Sequence, residues 1–451
     1  MSTTAAAAVP GGHHVTPATS PGAAPLPAQT APGAPAPAPA PAPNPQQRRR
    51  STPAQLRILL VLSVVASILI GVFGMQAGSL QANAAGEARR QAAQLVAVQE
   101  VRNALVSADA IASNAFLVGG LEPIAQRADY DDTIATVSQQ IANLSGSESA
   151  DAAGLAKVSD ALTRYTGLVE QARANNRQGF PVGSAYLDQA STLLRGEMLS
   201  ELNTLVKNGA DRVASAFAAL QNALFLLVGA ALALVLLILC QVWLARKTRR
   251  YLNRPLVTGT AILTLLGIVA TVLFFVTASQ ASSVRQNSYA ATLAVSQALT
   301  SATDAKSQES FTLIKRGSGA SIEAGVQTSI AQARTRLEYA VGEGTVDQSL
   351  LDQLNAWSAQ HDAIRQLDVG GNWDAAVEAA TKTGDGTANA AFDTFKKAAD
   401  TAITADAKAT ENTLSGYGIT TSILCWLLLA AGLVGAAFAW RGVSLRLEEY
   451  R

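Results

Sequence analysis

Four long apolar runs, at residues 58–75, 223–244, 256–278 and 417–440, interrupt a chain whose remaining apolar residues step by three and four. Each run is long enough to cross about 30 Å of hydrocarbon as a helix. None carries Asp, Glu, Lys or Arg in its interior, so the runs read as anchors rather than as an ion or proton path. Between them, Leu155, Val158, Leu162, Tyr165, Val169 and Ala172 form one helical seam, and Leu350, Leu354, Trp357, His361 and Ile364 form another. Strand alternation is absent. Breaks at GGLEP (119–123), GSES (146–149) and NNRQGFPVG (175–183) divide the first intervening segment into four helices. KRGSG (315–319), GEGTVD (342–347) and DVGGNW (368–373) do the same for the second.

Charge next orients the runs. Arg48, Arg49, Arg50 and Arg57 precede the first. Arg246, Lys247, Arg249, Arg250 and Arg254 lie between the second and third, and Arg441, Arg446 and Arg451 follow the fourth. The positive-inside rule places all three clusters in the cytoplasm and both intervening segments outside. The first run reads as a retained anchor rather than a cleaved signal, because some fifty residues precede it.

Internal comparison shows two copies of one unit. DAIASNAF (109–116) matches DAKSQESF (304–311), and LTRYTGLVEQARANNRQG (162–179) matches LNAWSAQHDAIRQLDVGG (354–371) without a gap. Tyr165 pairs with Trp357, Arg173 with Arg365 and Gly179 with Gly371. Trp243 precedes Arg249 by six residues, as Trp440 precedes Arg446. The expected fold is therefore an all-α integral membrane protein with four transmembrane helices and two tandem extracytoplasmic four-helix bundles, internally duplicated. Its segments are a disordered Ala/Pro-rich cytoplasmic tail (1–55), transmembrane helix 1 (56–76), bundle 1 (77–222), transmembrane helix 2 (223–244) and a basic cytoplasmic loop (245–255). Transmembrane helix 3 (256–278), bundle 2 (279–416), transmembrane helix 4 (417–440) and a cytoplasmic C-terminus (441–451) complete it. The membrane-distal tips are GGLEP with NNRQGFPVG, and KRGSG with DVGGNW.

Composition adds three exclusions. The net charge of +1 argues against nucleic acid as a partner. Cys240 and Cys425 both lie in apolar runs, at different depths, which excludes a disulfide framework and a cysteine zinc site. Thirteen of the 16 prolines fall within residues 1–53, giving a semi-stiff polyproline tether in which His13 and His14 have nothing to fix a metal geometry.

No nucleophile, acid–base pair, phosphate loop or metal spacing stands out, so no enzyme activity, catalytic residue, metal or cofactor is expected. His361, the one histidine in folded sequence, replaces Val169 on the seam. It reads as a core residue held by one hydrogen bond, with a protonation switch as the alternative. Gly432, Gly435, Ala436 and Ala439 give the fourth span a small-residue face, suited to ordinary helix packing or to a homodimer. At the first distal tip, Asn175, Asn176, Arg177, Gln178 and Phe180 have a composition suited to docking a protein. A Gly-Pro turn accounts for the glycine and proline but not for an exposed phenylalanine. On the cytoplasmic side, Arg249, Arg250, Tyr251 and Arg446 are the expected partner contacts.

The framed bundles resemble the sensory domains of bacterial chemoreceptors. The duplicated form, with ARANNRQGFPVGSAYLDQAS (172–191) and the ending RLEEYR (446–451), resembles more closely a family of actinobacterial four-span membrane proteins. That resemblance implies a relay between an extracytoplasmic lipoprotein that binds aspartate, glutamate or glutamine and a cytoplasmic serine/threonine kinase of the G type. Unlike a chemoreceptor, the chain is expected to lack a signalling helix after its fourth span. An envelope scaffold, or an accessory subunit of a transport complex, is the alternative.

Overall fold

The computed structural model describes residues 52–118, 122–222, 225–248, 253–316 and 319–448. All regular structure among these residues is helical. The first repeat comprises α1 (Thr52–Val118), α2 (Ile124–Ser147), α3 (Ser149–Arg177), α4 (Val182–Leu193), a π-helical turn (Leu194–Met198), α5 (Leu199–Asn222) and α6 (Phe225–Thr248). The second comprises α7 (Arg254–Gln286), α8 (Ser288–Ile314), α9 (Ala320–Gly342), α10 (Gln348–Val369), α11 (Trp373–Thr381) and α12 (Ala388–Glu448). Helix α1 begins at Thr52, so its first turn takes in residues 52–55 of the expected tail, with Pro53 tolerated where the backbone N–H would lack a partner. The rest of the tail, residues 1–51, lies outside the described residues.

Four helical stretches are long and apolar enough to span a membrane: Ala54–Val118, Val182–Lys247, Arg254–Ile314 and Ala388–Leu445. Their apolar portions expose Val61, Phe225, Leu232, Leu265, Phe275, Ile419 and Trp426, side chains that a soluble surface would not carry together but that acyl chains would cover. The chain is an all-α, multi-pass membrane protein.

The repeat is written into the backbone as well as the sequence. Gly179 and Gly371 adopt φ of 72° and 82°, the left-handed conformation in which a Cβ would be strained. Phe180 N–H donates to Asn175 O at 2.9 Å, and Asn372 N–H donates to Leu367 O at the same distance, each closing a helix with a six-to-one bond. Both seams are buried, with Tyr165 and Trp357 at 0% exposure in their respective cores. Burying either ring contributes roughly 2–3 kcal/mol of transfer free energy.

Three features lay beyond sequence patterning. Residues 382–387 break the last outer helix into α11 and α12, and Asn287 separates α7 from α8, so the second bundle does not join both its spans through continuous helices. The two bundles also share one core: Ala281, Val284, Tyr289, Phe311 and Leu414 of the second repeat are buried in the cluster built around Leu95, Leu105 and Tyr165 of the first. Finally, α1 and α12, of 67 and 61 residues, run as unbroken helices along each other through span and bundle alike. At 1.5 Å per residue each is about 90–100 Å long.

Within the spans this pairing is closest where side chains vanish. A Cβ built on Gly71 would lie 2.9 Å from the Cα of Gly432, and one on Gly78 would lie 2.7 Å from the Cβ of Cys425. The small-residue face of the fourth span is thus occupied within the chain, by α1 at Gly432 and by Leu263 of α7 at Gly435. Both cysteines are free and buried.

Candidate functional site

Buried charge lies at several junctions between elements in the bundles. The first is the end of the first bundle farthest from its spans. Here α1 ends, α2 begins, and α3 turns into α4 through the stretch Asn175–Pro181. Asn176 donates to Phe116 O at 3.3 Å, tying this turn to the end of α1, and Asn175 donates back to Gln171 O at 2.8 Å. Arg177 and Gln178 are exposed, and Phe180 is 52% exposed. The five expected docking residues therefore lie on one short turn: Asn175 and Asn176 shape it, while Arg177, Gln178 and Phe180 face outward.

Beneath that turn lies a half-open cavity of about 490 Å³. Ala112, Ala115 and Phe116 of α1, Val169 and Ala172 of α3, and Leu187 of α4 form its apolar wall. Arg127, Arg173, Arg177, Glu122 and Glu170 supply the charge. Arg173 is held by Glu122 and Glu170, each at 2.9 Å, and its guanidinium carbon lies 4.1 Å over the centre of the Tyr130 ring. Arg173 pairs with Arg365 in the repeat, and nothing in that spacing shows that Arg173 lines a cavity.

The second place joins the bundles. Asp109 of α1, at 0% exposure, accepts hydrogen bonds from Tyr165 Oη (3.2 Å), Ser191 Oγ (2.6 Å) and Ser307 Oγ (2.6 Å). Arg195 lies in the π-helical turn, a form that often marks functional positions. Its Nη2 is 3.4 Å from Asp109, while its Nε donates to Asp304 Oδ1 at 3.0 Å. Burial opposes the guanidinium charge, but Asp109 and Asp304 together outweigh it and raise the Arg195 pKa. The aspartates matched by the repeat are thus bridged by one arginine of the first bundle, which no repeat comparison could have found. Replacing Arg195 with Met should cost about 2 kcal/mol, the scale of a charged hydrogen bond lost to the buried Asp109 and the partly buried Asp304. Chemical denaturation would read the loss, and limited proteolysis should show the two bundles loosening together.

The tip of the second bundle is filled with charge. His361 Nδ1 lies 2.7 Å from Glu309 and its Nε2 lies 3.2 Å from Glu323. Lys306 donates to Glu309 at 2.6 Å, and Arg365 pairs with Glu323 and Asp368. The histidine therefore has two carboxylate partners where one hydrogen bond was expected. Burial opposes the imidazolium, yet bonds to Glu309 and Glu323 dominate and hold its pKa at about 9. A switch near neutral pH is removed by that same pairing.

At the opposite end, Asn253 donates to Gly442 O at 2.7 Å, which brings the loop between α6 and α7 against the end of α12. Trp243 and Trp440 are exposed near these ends, where indole rings suit a membrane interface. Arg249, Arg250 and Tyr251 lie outside the described residues, and Arg446 falls in the last turns of α12. Among the described residues, no group of three or more His, Cys, Asp or Glu could hold a metal ion.

No curated protein and no solved structure matches the chain. Residues 84–218, which run from the outer part of α1 through α5 and hold the distal cavity, Asp109 and Arg195, match the family model described as an actinobacterial sensor domain; with the four apolar helices, this match supports an actinobacterial membrane sensor.

Proposed function

We propose that the chain is a non-enzymatic transmembrane relay. It couples an extracytoplasmic amino-acid-binding lipoprotein, of the aspartate, glutamate or glutamine class, to a cytoplasmic serine/threonine kinase. The observation that carries this reading is continuity. The matched sensor stretch begins on α1, and α1 runs without a break from that stretch through an apolar span. Its mate α12 does the same from the second bundle. Two long helices packed on each other can pass on a small shift as a discrete change of packing, provided a partner binds one packing better than the other. In this reading the bundles face outward, both termini face the cytoplasm, and the turn bearing Phe180 meets the lipoprotein.

Phe180 tests the docking end. As an exposed ring it contributes little to folding, so Phe180→Ala should leave the unfolding free energy within about 0.5 kcal/mol of wild type. Crosslinking in intact cells should nevertheless recover much less of the external binding protein. Equal recovery from wild type and variant would remove this turn from the interface. Failure of any external protein to crosslink to the wild-type chain would remove the relay itself.

A further inference from the structure

We infer that the distal cavity of the first bundle binds a small zwitterionic carboxylate directly, a molecule carrying both a carboxylate and an ammonium group. This goes beyond the relay reading, which requires only that the tip dock a protein.

The cavity has the size of a small-molecule site, about 490 Å³ against the usual range of roughly 300–1,000 Å³. Its room comes from particular side chains. Ala172 corresponds in the repeat to Ile364, Val169 to His361 and Ala112 to Ser307. In the second bundle those places are occupied, with Ile364 buried and His361 clamped between Glu309 and Glu323. The positions that leave room in one copy thus carry bulkier side chains in the other.

The charges on the wall select the ligand. Three arginines, Arg127, Arg173 and Arg177, stand against two glutamates, Glu122 and Glu170. Arg173 is only 10% exposed, and its Nε–H has no acceptor in the protein. A buried donor left without a partner costs about 1–3 kcal/mol, more when charged, and a ligand acceptor would recover that cost. Arg177 makes no ion pair among the described residues and is exposed at the mouth. A carboxylate is the planar acceptor that fits a guanidinium fork. Glu122 and Glu170 then offer acceptors to an ammonium, and their charge disfavours a polyanion such as phosphate. The alanines and Leu187 leave an apolar wall for a short side chain.

The test is calorimetric titration of the purified full chain in lipid nanodiscs, with no other protein present. The probes are the free amino acids, first pooled and then singly, followed by succinate and inorganic phosphate. Saturable binding of at least one amino acid is expected, weakened at least tenfold by Ala172→Ile, which restores the bulk found in the other repeat. Should Ala172→Ile fail to fold, Arg177→Gln alters an exposed, unpaired group and should weaken binding at least fivefold at an unchanged thermal midpoint. The inference is overturned if no amino acid binds, if binding ignores both substitutions, or if succinate or phosphate binds as tightly. Docking through Phe180 could survive an empty cavity, so failure here and failure of the relay are separately visible.

Discussion

Replacing Gly432 with Leu is expected to abolish the close pairing of the first and fourth spans and leave little folded protein. A Cβ at residue 432 would lie 2.7 Å from Gly71 Cα and 2.9 Å from Gly71 N, and neither backbone atom can swing aside as a side-chain end would. The helices must separate, and the contact between α1 and α12 that runs the length of the molecule must be rebuilt. Overpacking of a well-packed site commonly costs about 1–3 kcal/mol. With backbone facing backbone, the loss should reach or exceed the top of that range. Thermal unfolding in detergent reads it directly. Gly267 supplies the control, because its added Cβ meets nothing within 4 Å; Gly267→Ala should change stability by no more than about 0.5 kcal/mol. Comparable stability for Gly432→Leu and Gly267→Ala would mean that the spans do not mate through Gly71 and Gly432.

Glu309→Gln should be nearly as damaging, for an electrostatic reason. Glu309 is 0% exposed and receives both Lys306 and His361. Burial alone would raise its pKa, but the Lys306 charge and the His361 hydrogen bond lower it to about 2. Removing the carboxylate charge leaves Lys306 buried without its counter-ion, a change that typically costs about 3–5 kcal/mol.

The pH dependence follows from the two shifts. His361 is raised from 6.5 to about 9, so its contribution is complete below about 6.5 and is lost as pH rises through about 9. Glu309 is lowered from 4.5 to about 2, so its contribution is complete above about 4.5 and is lost as pH falls toward 2. Stability from this cluster is therefore fullest between about pH 4.5 and 6.5. Glu323 on α9 faces the same histidine and pairs in turn with Arg365 on α10, so it shares in that balance. In His361→Val, which carries the residue of the first repeat, the decline between pH 6.5 and 9 should be absent. A decline of equal size in the variant would assign it to other groups.

Much of the fold is legible in the sequence because it rests on local signals. Apolar length marks the spans, three-and-four spacing marks the seams, and Gly179 and Gly371 mark helix ends that need a left-handed backbone. The repeat is legible for the same reason, since Tyr165 and Trp357 occupy equivalent core positions. What escapes local reading depends on which helices meet. Asp109 and Asp304 are visible as a matched pair, but not their common partner Arg195, because the duplication aligns the bundles without showing that they pack together. His361 is visible as a departure from Val169, whereas Glu309 and Glu323 reach it from two other helices. The face of Gly432 is visible too, yet whether a second chain or Gly71 covers it is a question of tertiary packing. The turn at Asn175–Phe180 is legible as an exposed turn. The cavity beneath it is not, because it is made by small residues on separate helices.

The proposed relay would carry an external amino-acid signal to a cytoplasmic kinase. Its most direct test is to measure phosphorylation of the kinase's targets in intact cells while external aspartate, glutamate and glutamine are varied, with the chain present, deleted and restored. A response that vanishes on deletion and returns on restoration is expected. An undiminished response in the deleted cells would contradict it.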